Sequence, residues 1–255
     1  MDVNKLLQVS AFAGQILLES GAETYRVEET IDKICLAFGV KQTDSFATPT
    51  GIFVSITYKE QIYSTVKRIT NRGVDLNKVD KINDLSRRLQ KKPMYLDELY
   101  NTLLKINRGD NYKTFYSYIS SALVSGAFSS LYGGDFNDFI ASFIIGFGIN
   151  YILLKSKKLL LNSFFTNCVG GGFTALLALI FKSLGLVHNL DKTIIGAIML
   201  LVPGIAITNA IRDIIAGDYL AGITRGSEAF LIAVSIAVGT GVVISFWINV
   251  LGGTI

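Results

Sequence analysis

Cysteine, histidine and proline are all scarce in this chain of 255 residues, and each shortage excludes something. The two cysteines, Cys35 and Cys168, fall in a predicted cytoplasmic helix and a predicted membrane span, so a disulfide between them is excluded. With the single His188 they form no metal-ligand set. His188 also stands far from any serine or cysteine in a nucleophile context, and neither Gly-x-Ser-x-Gly nor His-Glu-x-x-His occurs. The chain therefore reads as a non-enzyme with no metal and no cofactor. Gly170-Gly171-Gly172 lacks the Lys-Ser/Thr of a phosphate loop and reads as a packing surface between helices. A long basic stripe is missing too: the net charge of +4 comes from basic and acidic residues mixed together, so nucleic acid is not an expected partner. Lys5 and the apolar Leu6–Leu18 imitate a secretory leader with Ala11-Phe12-Ala13 as its cleavage site. Gln8 and Ser10 interrupt that run, so no leader is expected.

Charge is missing from one part of the chain only. Residues 1–112 carry 30 Asp, Glu, Lys and Arg, and residues 113–255 carry 14. The first part has the charge density of a soluble domain, and the boundary falls near Asn111–Lys113. After it, five stretches lack these residues altogether: 114–134, 139–154, 159–181, 193–211 and 229–255. A bilayer core takes about 20 apolar residues. Four stretches suffice as they stand, and the second does if Asp138 and Lys155 snorkel. The expected architecture is an α-helical polytopic membrane protein with an N-terminal cytoplasmic α+β domain, 1–112. Five transmembrane helices follow in 113–255, near 114–134, 136–155, 159–181, 193–211 and 229–251.

Lys155, Lys157 and Lys158 lie between the second and third spans, and Arg212 and Arg225 between the fourth and fifth. The opposite loops carry little net positive charge. Positive loops stay cytoplasmic, so a multi-pass chain of the cytoplasmic (inner) membrane is expected, with its amino terminus inside and carboxy terminus outside.

In the first part, Leu6, Val9, Ala13, Ile16 and Leu17 predict a helix over about Val3–Glu19. Ser20-Gly21-Ala22-Glu23 fits a capping box that opens a second helix, with Val27, Ile31, Ile34, Cys35 and Phe38 on one face and Gly39 as its stop. Thr48-Pro49-Thr50-Gly51 turns between extended segments. Ile52, Val54, Ile56 and Tyr58 then alternate as a strand, and another strand contains Ile62 and Val66. Two further helices follow, one capped by Asn77 and one opened by Pro93.

Chemistry concentrates in two places. The first is Leu200–Arg225, an apolar run broken at Pro203–Gly204 that ends in Asn209, Arg212, Asp213, Asp218 and Arg225. Proline removes a backbone donor, and glycine admits close approach of backbone or ligand. Freed carbonyls at membrane depth need protein, water or ligand to satisfy them, and broken helices of this kind form transporter sites. Pro203, Gly204, Asn209, Arg212 and Asp213 are the expected substrate-binding residues, with Arg212 able to fork onto a carboxylate. Asp213, Asp218 and Arg225 are the expected proton-coupling or gating residues. A kinked packing helix ending in a positive cytoplasmic loop is the competing account. The second place is the helical hairpin turn, where Glu19, Glu23, Arg26, Glu28 and Glu29 crowd together. It reads as a cytoplasmic vestibule or as a solvated helix start.

Three segments carry a likeness to a known family: LLESGAETYRVEETIDKICLAFG at 17–39, TPTGIFVS at 48–55, and LVPGIAITNAIRDIIAGDYLAGITRGSEAF at 201–230. In this order they resemble the threonine/serine exporter family, and more closely its N-terminal component. The resemblance implies export of threonine, serine or similar small hydroxy amino acids, or of dicarboxylates (succinate-type) in some relatives, driven by the proton gradient. It also implies the split form, which works with a second, small membrane subunit. A non-transporting regulatory or scaffold subunit is the rival class.

Overall fold

The computed structural model describes residues 2–109 and 113–252. The expected boundary residues 111 and 112, and residues 253–255 at the carboxy end, lie outside the described residues. The chain order is α1 (Val3–Glu19), α2 (Thr24–Ala37), β1 (Gln42–Thr48), β2 (Gly51–Tyr58), β3 (Gln61–Arg68), α3 (Leu76–Lys91) and α4 (Leu96–Arg108). There follow α5 (Thr114–Leu131), α6 (Phe136–Lys158), α7 (Ser163–Ser183), α8 (Leu190–Ile198), α9 (Gly204–Ala216) and α10 (Tyr219–Asn249). Two compact units result: Met1–Asp110 with Gly204–Ser227, and Asn111–Pro203 with Glu228–Ile255.

In the first unit α1 is the central element. Leu6, Ala11, Ala13 and Leu17 are wholly buried, as are Leu7 and Leu18 nearly so, and apolar burial this far around a helix marks a core position. The three strands form an antiparallel meander, β1-β2-β3. Its inner face carries Ala47, Ile52, Val54 and Ile56 into the same core as α1, Val27, Ile31 and Ile34. On the outer face Phe46, Phe53 and Val66 form one exposed cross-strand row. Lys59 and Glu60 both take positive φ, the geometry of a two-residue hairpin whose twist matches its strands.

Three local expectations are corrected. Glu23 is the N-cap of α2 but makes no capping bond with its side chain, so the capping box does not form. Its carboxylate is taken by guanidinium groups, stronger partners than a backbone amide. Asp75, not Asn77, caps α3, accepting from Lys78 N–H at 3.1 Å. A carboxylate two residues earlier competes better for the positive helix start. Pro93 stands before α4, whose N-cap is Tyr95.

Among the described residues three helices are long and apolar enough to cross a membrane: α6, α7 and α10. Glycines set how closely two of them pass. A β-carbon at Gly239 would stand 1.9 Å from the Cys168 carbonyl oxygen, and one at Gly171 would stand 2.6 Å from the Ile236 carbonyl oxygen. The glycine run in α7 is thus a packing surface. The stretch 193–211 is divided between α8 and α9, and α8 alone has nine residues. Asp138 does not snorkel. It is fully buried at the start of α6 in a capping box with Asp135, and its carboxylate accepts the backbone N–H of His188 and of Asn189, both at 3.1 Å. Asn189 Nδ2 adds a third bond at 2.8 Å, and His188 pairs with Asp135. With the Asp135 N–H and the Thr193 hydroxyl, the Asp138 carboxylate accepts five bonds, which offset the burial of a group that would otherwise seek water.

Candidate functional site

Within the first unit, the turn between α1 and α2 meets the hairpin of α9 and α10. Gly21, at φ +85°, lets the chain reverse after α1 and turns its carbonyl and that of Ala22 toward α9 and α10. Gly217, at φ +96°, ends α9: its N–H bonds to Ile214 C=O and that of Asp218 to Asp213 C=O, a Schellman motif. A β-carbon at Gly222 would lie 2.8 Å from the Ala210 carbonyl oxygen, so α10 starts hard against α9.

Asp213 lies at the centre, with no exposed surface. Its Oδ1 accepts Thr24 N–H at 3.2 Å and Thr24 Oγ1 at 2.9 Å, and its Oδ2 faces Arg225 Nε at 3.1 Å. Arg225, 7% exposed, also donates from Nη2 to the Ala22 carbonyl at 2.7 Å. Asn209 donates from Nδ2 to the Gly21 carbonyl at 2.7 Å. Asp218 Oδ2 lies 2.9 Å from the Thr24 hydroxyl oxygen. Arg212 donates from Nη1 to Glu23 Oε1 at 2.6 Å, and Arg26 donates from Nε to Glu23 Oε2 at 2.9 Å. Glu28, one turn along α2 from Thr24, accepts Ala47 N–H at 2.7 Å.

Two places that sequence reading kept apart are therefore one site. Asn209, Arg212, Asp213, Asp218 and Arg225 all bond to the α1–α2 turn, and Glu23, Arg26 and Glu28 join them. Glu19 does not: its carboxylate accepts from Gln15 Nε2 at 2.9 Å. Gly204 opens α9 more than a turn before Asn209, and a β-carbon there would meet nothing within 4 Å, so close approach does not explain it. Pro203 ends the first segment of the second unit. Sequence reading missed Thr24 as the junction and the carbonyls of Gly21 and Ala22 as acceptors. Thr24 gave one faint signal, a hydroxyl at a helix start. The carbonyls gave none, because every residue has one.

The electrostatics separate two carboxyls of α2. Burial, the largest single influence, pushes Glu23 up, but its own backbone N–H, the Arg212 bond and the Arg26 charge together hold it below the usual range. Burial pushes Glu28 up, and against the Ala47 N–H bond the negative charges of Asp218, Asp32 and Asp213 keep it there. The Arg212 side chain is 56% exposed, so part of its fork is open to a carboxylate from solution. Among the described residues no cluster of His, Cys, Asp and Glu is arranged to hold a metal.

A guanidinium offered beside buried and half-buried carboxyls can pair with a carboxylate group. The profile describing threonine/serine exporters matches residues 8–247. The chain belongs to the threonine/serine exporter family. That is a family of transporters, not of enzymes. A threonine/serine exporter of Corynebacterium glutamicum is 24% identical over 246 residues, which cover 92% of this chain and 50% of that protein. The chain thus spans about half the length of this relative of the exporter family. No solved structure matches. Family membership and the apolar α6, α7 and α10 together mark a membrane protein of the transport class.

Proposed function

We propose that the chain is a subunit of a secondary active exporter that carries threonine, serine or a similar small hydroxy amino acid out of the cell, driven by the proton gradient. The half-exposed Arg212, held beside Glu23 and next in sequence to the buried Asp213, carries this reading. The substrate carboxylate competes with Glu23 for the Arg212 fork. The substrate ammonium is taken by the carboxyls of Asp218 or Glu28. Asp213, Asp218 and Arg225 form the proton-coupling or gating group, and Asn209 fixes the turn against α9.

The proposed setting is the cytoplasmic (inner) membrane, with domain 1–112 inside, five spans in 113–255 and the carboxy terminus outside. A five-span unit that starts inside ends outside, so a related second unit runs inverted and the two form an inverted pair. The proposed partner is a distinct small membrane subunit of the same family. The exporter reading is tested by counterflow of labelled threonine in proteoliposomes, with and without that partner. Exchange that needs both subunits and is lost in Arg212→Ala supports it. Exchange by the partner alone assigns this chain a regulatory or scaffold role.

A second substrate class has one observation in its favour. Arg26 and Arg212 share the single carboxylate of Glu23, so two guanidiniums stand ready for two carboxylates. A dicarboxylate such as succinate would use both, and counterflow of labelled succinate in the same vesicles decides between the substrates.

A further inference from the structure

The Thr24 hydroxyl has more acidic neighbours than it has protons. Its Oγ1 lies 2.9 Å from Asp213 Oδ1 and 2.9 Å from Asp218 Oδ2. A threonine hydroxyl has one O–H to donate and two lone pairs with which to accept. With both aspartates ionised, one contact would press a hydroxyl lone pair against a carboxylate oxygen at hydrogen-bond distance. Both contacts are full, unshared bonds only when one carboxyl carries a proton and donates it to Oγ1; otherwise the single O–H is split between two acceptors.

The two aspartates differ in their surroundings. Asp213 is fully buried, takes Thr24 N–H as well as its hydroxyl, and faces Arg225. Asp218 is half-buried and meets the same hydroxyl from the other side. Arg212 and Arg26 are drawn to Glu23, and Glu28 adds a further negative charge beside both aspartates.

We propose that the Thr24 hydroxyl holds one proton between Asp218 and Asp213 and relays it from the half-buried carboxyl to the buried one. In the transfer the Asp218 O–H bond breaks as its proton binds Thr24 Oγ1. The original Thr24 O–H bond breaks as that proton binds Asp213 Oδ1. The hydroxyl is unchanged, Asp218 becomes the anion, and Asp213 becomes neutral opposite Arg225. Arg225 and Asn209 also grip the Ala22 and Gly21 carbonyls, and neutralising Asp213 weakens the bond it accepts from Thr24 N–H, one more of those that tie the start of α2 to α9 and α10. The role of this proton in transport rests on the exporter reading. The shared proton itself does not.

The test is infrared titration of the full chain in lipid vesicles, following the carbonyl band of protonated carboxyls in wild type and variants. The expected result is a band that Asp218→Asn removes. Thr24→Val should move its titration by at least about one pH unit, the size of one charge-assisted hydrogen bond, and Thr24→Ser should restore it. A band that survives in Asp218→Asn, or vanishes only in Glu28→Gln, overturns the proposal. So does wild-type protein with no such band while folded. A second measurement keeps the exporter reading separate. With the partner subunit present, Thr24→Val should lose about tenfold of its pH-gradient-driven threonine efflux, and Thr24→Ser should keep it. Equal loss in Thr24→Val and Thr24→Ser overturns the relay. Absence of counterflow in the wild type sinks the exporter reading and leaves the infrared result standing.

Discussion

Asp213 and Arg225 are 0% and 7% exposed, and a buried ion pair is far costlier to halve than to lack. Asp213→Asn should lower stability by about 3–5 kcal/mol in reversible detergent unfolding, because Arg225 keeps its charge without that carboxylate opposite. Arg212, with its side chain 56% exposed, should behave differently. Arg212→Ala should leave the unfolding midpoint nearly unchanged and abolish counterflow. Arg212→Lys should fail almost as badly, since lysine keeps the charge and loses the fork. The two glutamates of α2 should show opposite pH effects. Glu23 is held below its ordinary value of 4.5, so its contribution is present above 4.5 and is lost as pH falls through the lower folded value. Glu28 is pushed above 4.5, so the fold loses stability as pH rises from 4.5 through that higher value. Glu28→Gln should therefore raise the melting temperature at neutral pH, with the gain shrinking toward pH 4.5. At this scale the charged members of the site were legible, because charge at the edge of an apolar run is conspicuous. Thr24 was not: what makes it central is two aspartates lying 189 and 194 positions away.

Helices and strands were legible wherever one face repeats at a fixed period. α1 and the strand through Ile52, Val54 and Ile56 follow their patterns closely, because the residues that set the period are the ones the core buries. Ends were less legible. Ser20-Gly21-Ala22-Glu23 has the letters of a capping box, yet Glu23 is recruited by Arg26 and Arg212, and no local pattern contains Arg212. Close passages between helices offer a sharper test. Gly239→Ala places a β-carbon 1.9 Å from the Cys168 carbonyl oxygen, while Gly241→Ala meets nothing within 4 Å. The first should cost about 1–3 kcal/mol by overpacking, and the second should be neutral or slightly stabilising through its better helix propensity. Equal melting temperatures for the two variants would remove the glycine contact between α7 and α10 as a packing determinant.

For the whole molecule, the fall in charge density after residue 112 was readable from composition alone. That Gly204–Ser227 folds into one compact unit with Met1–Asp110 was not, since it depends on an acid-rich turn matching two arginines about 190 and 200 residues further on. The proposed orientation has a direct check. In a chain cleared of Cys35 and Cys168, a cysteine at Asn249 should react with a membrane-impermeant reagent from outside. One at Lys157 should react only after the membrane is opened. The reverse pattern would overturn the proposed topology and, with it, the cytoplasmic side assigned to the Arg212 site.

Asp138 has a consequence for how this protein can change over time. Its carboxylate holds the 188–189 loop through two main-chain amides, groups that all residues but proline possess. Those two bonds ask nothing of the side chains at 188 and 189, so they leave no trace of paired substitution although they join residues 50 and 51 places apart. Only the bonds made by side chains, Asn189 to Asp138 and His188 to Asp135, would show in co-varying positions, and they would report only part of what holds the loop.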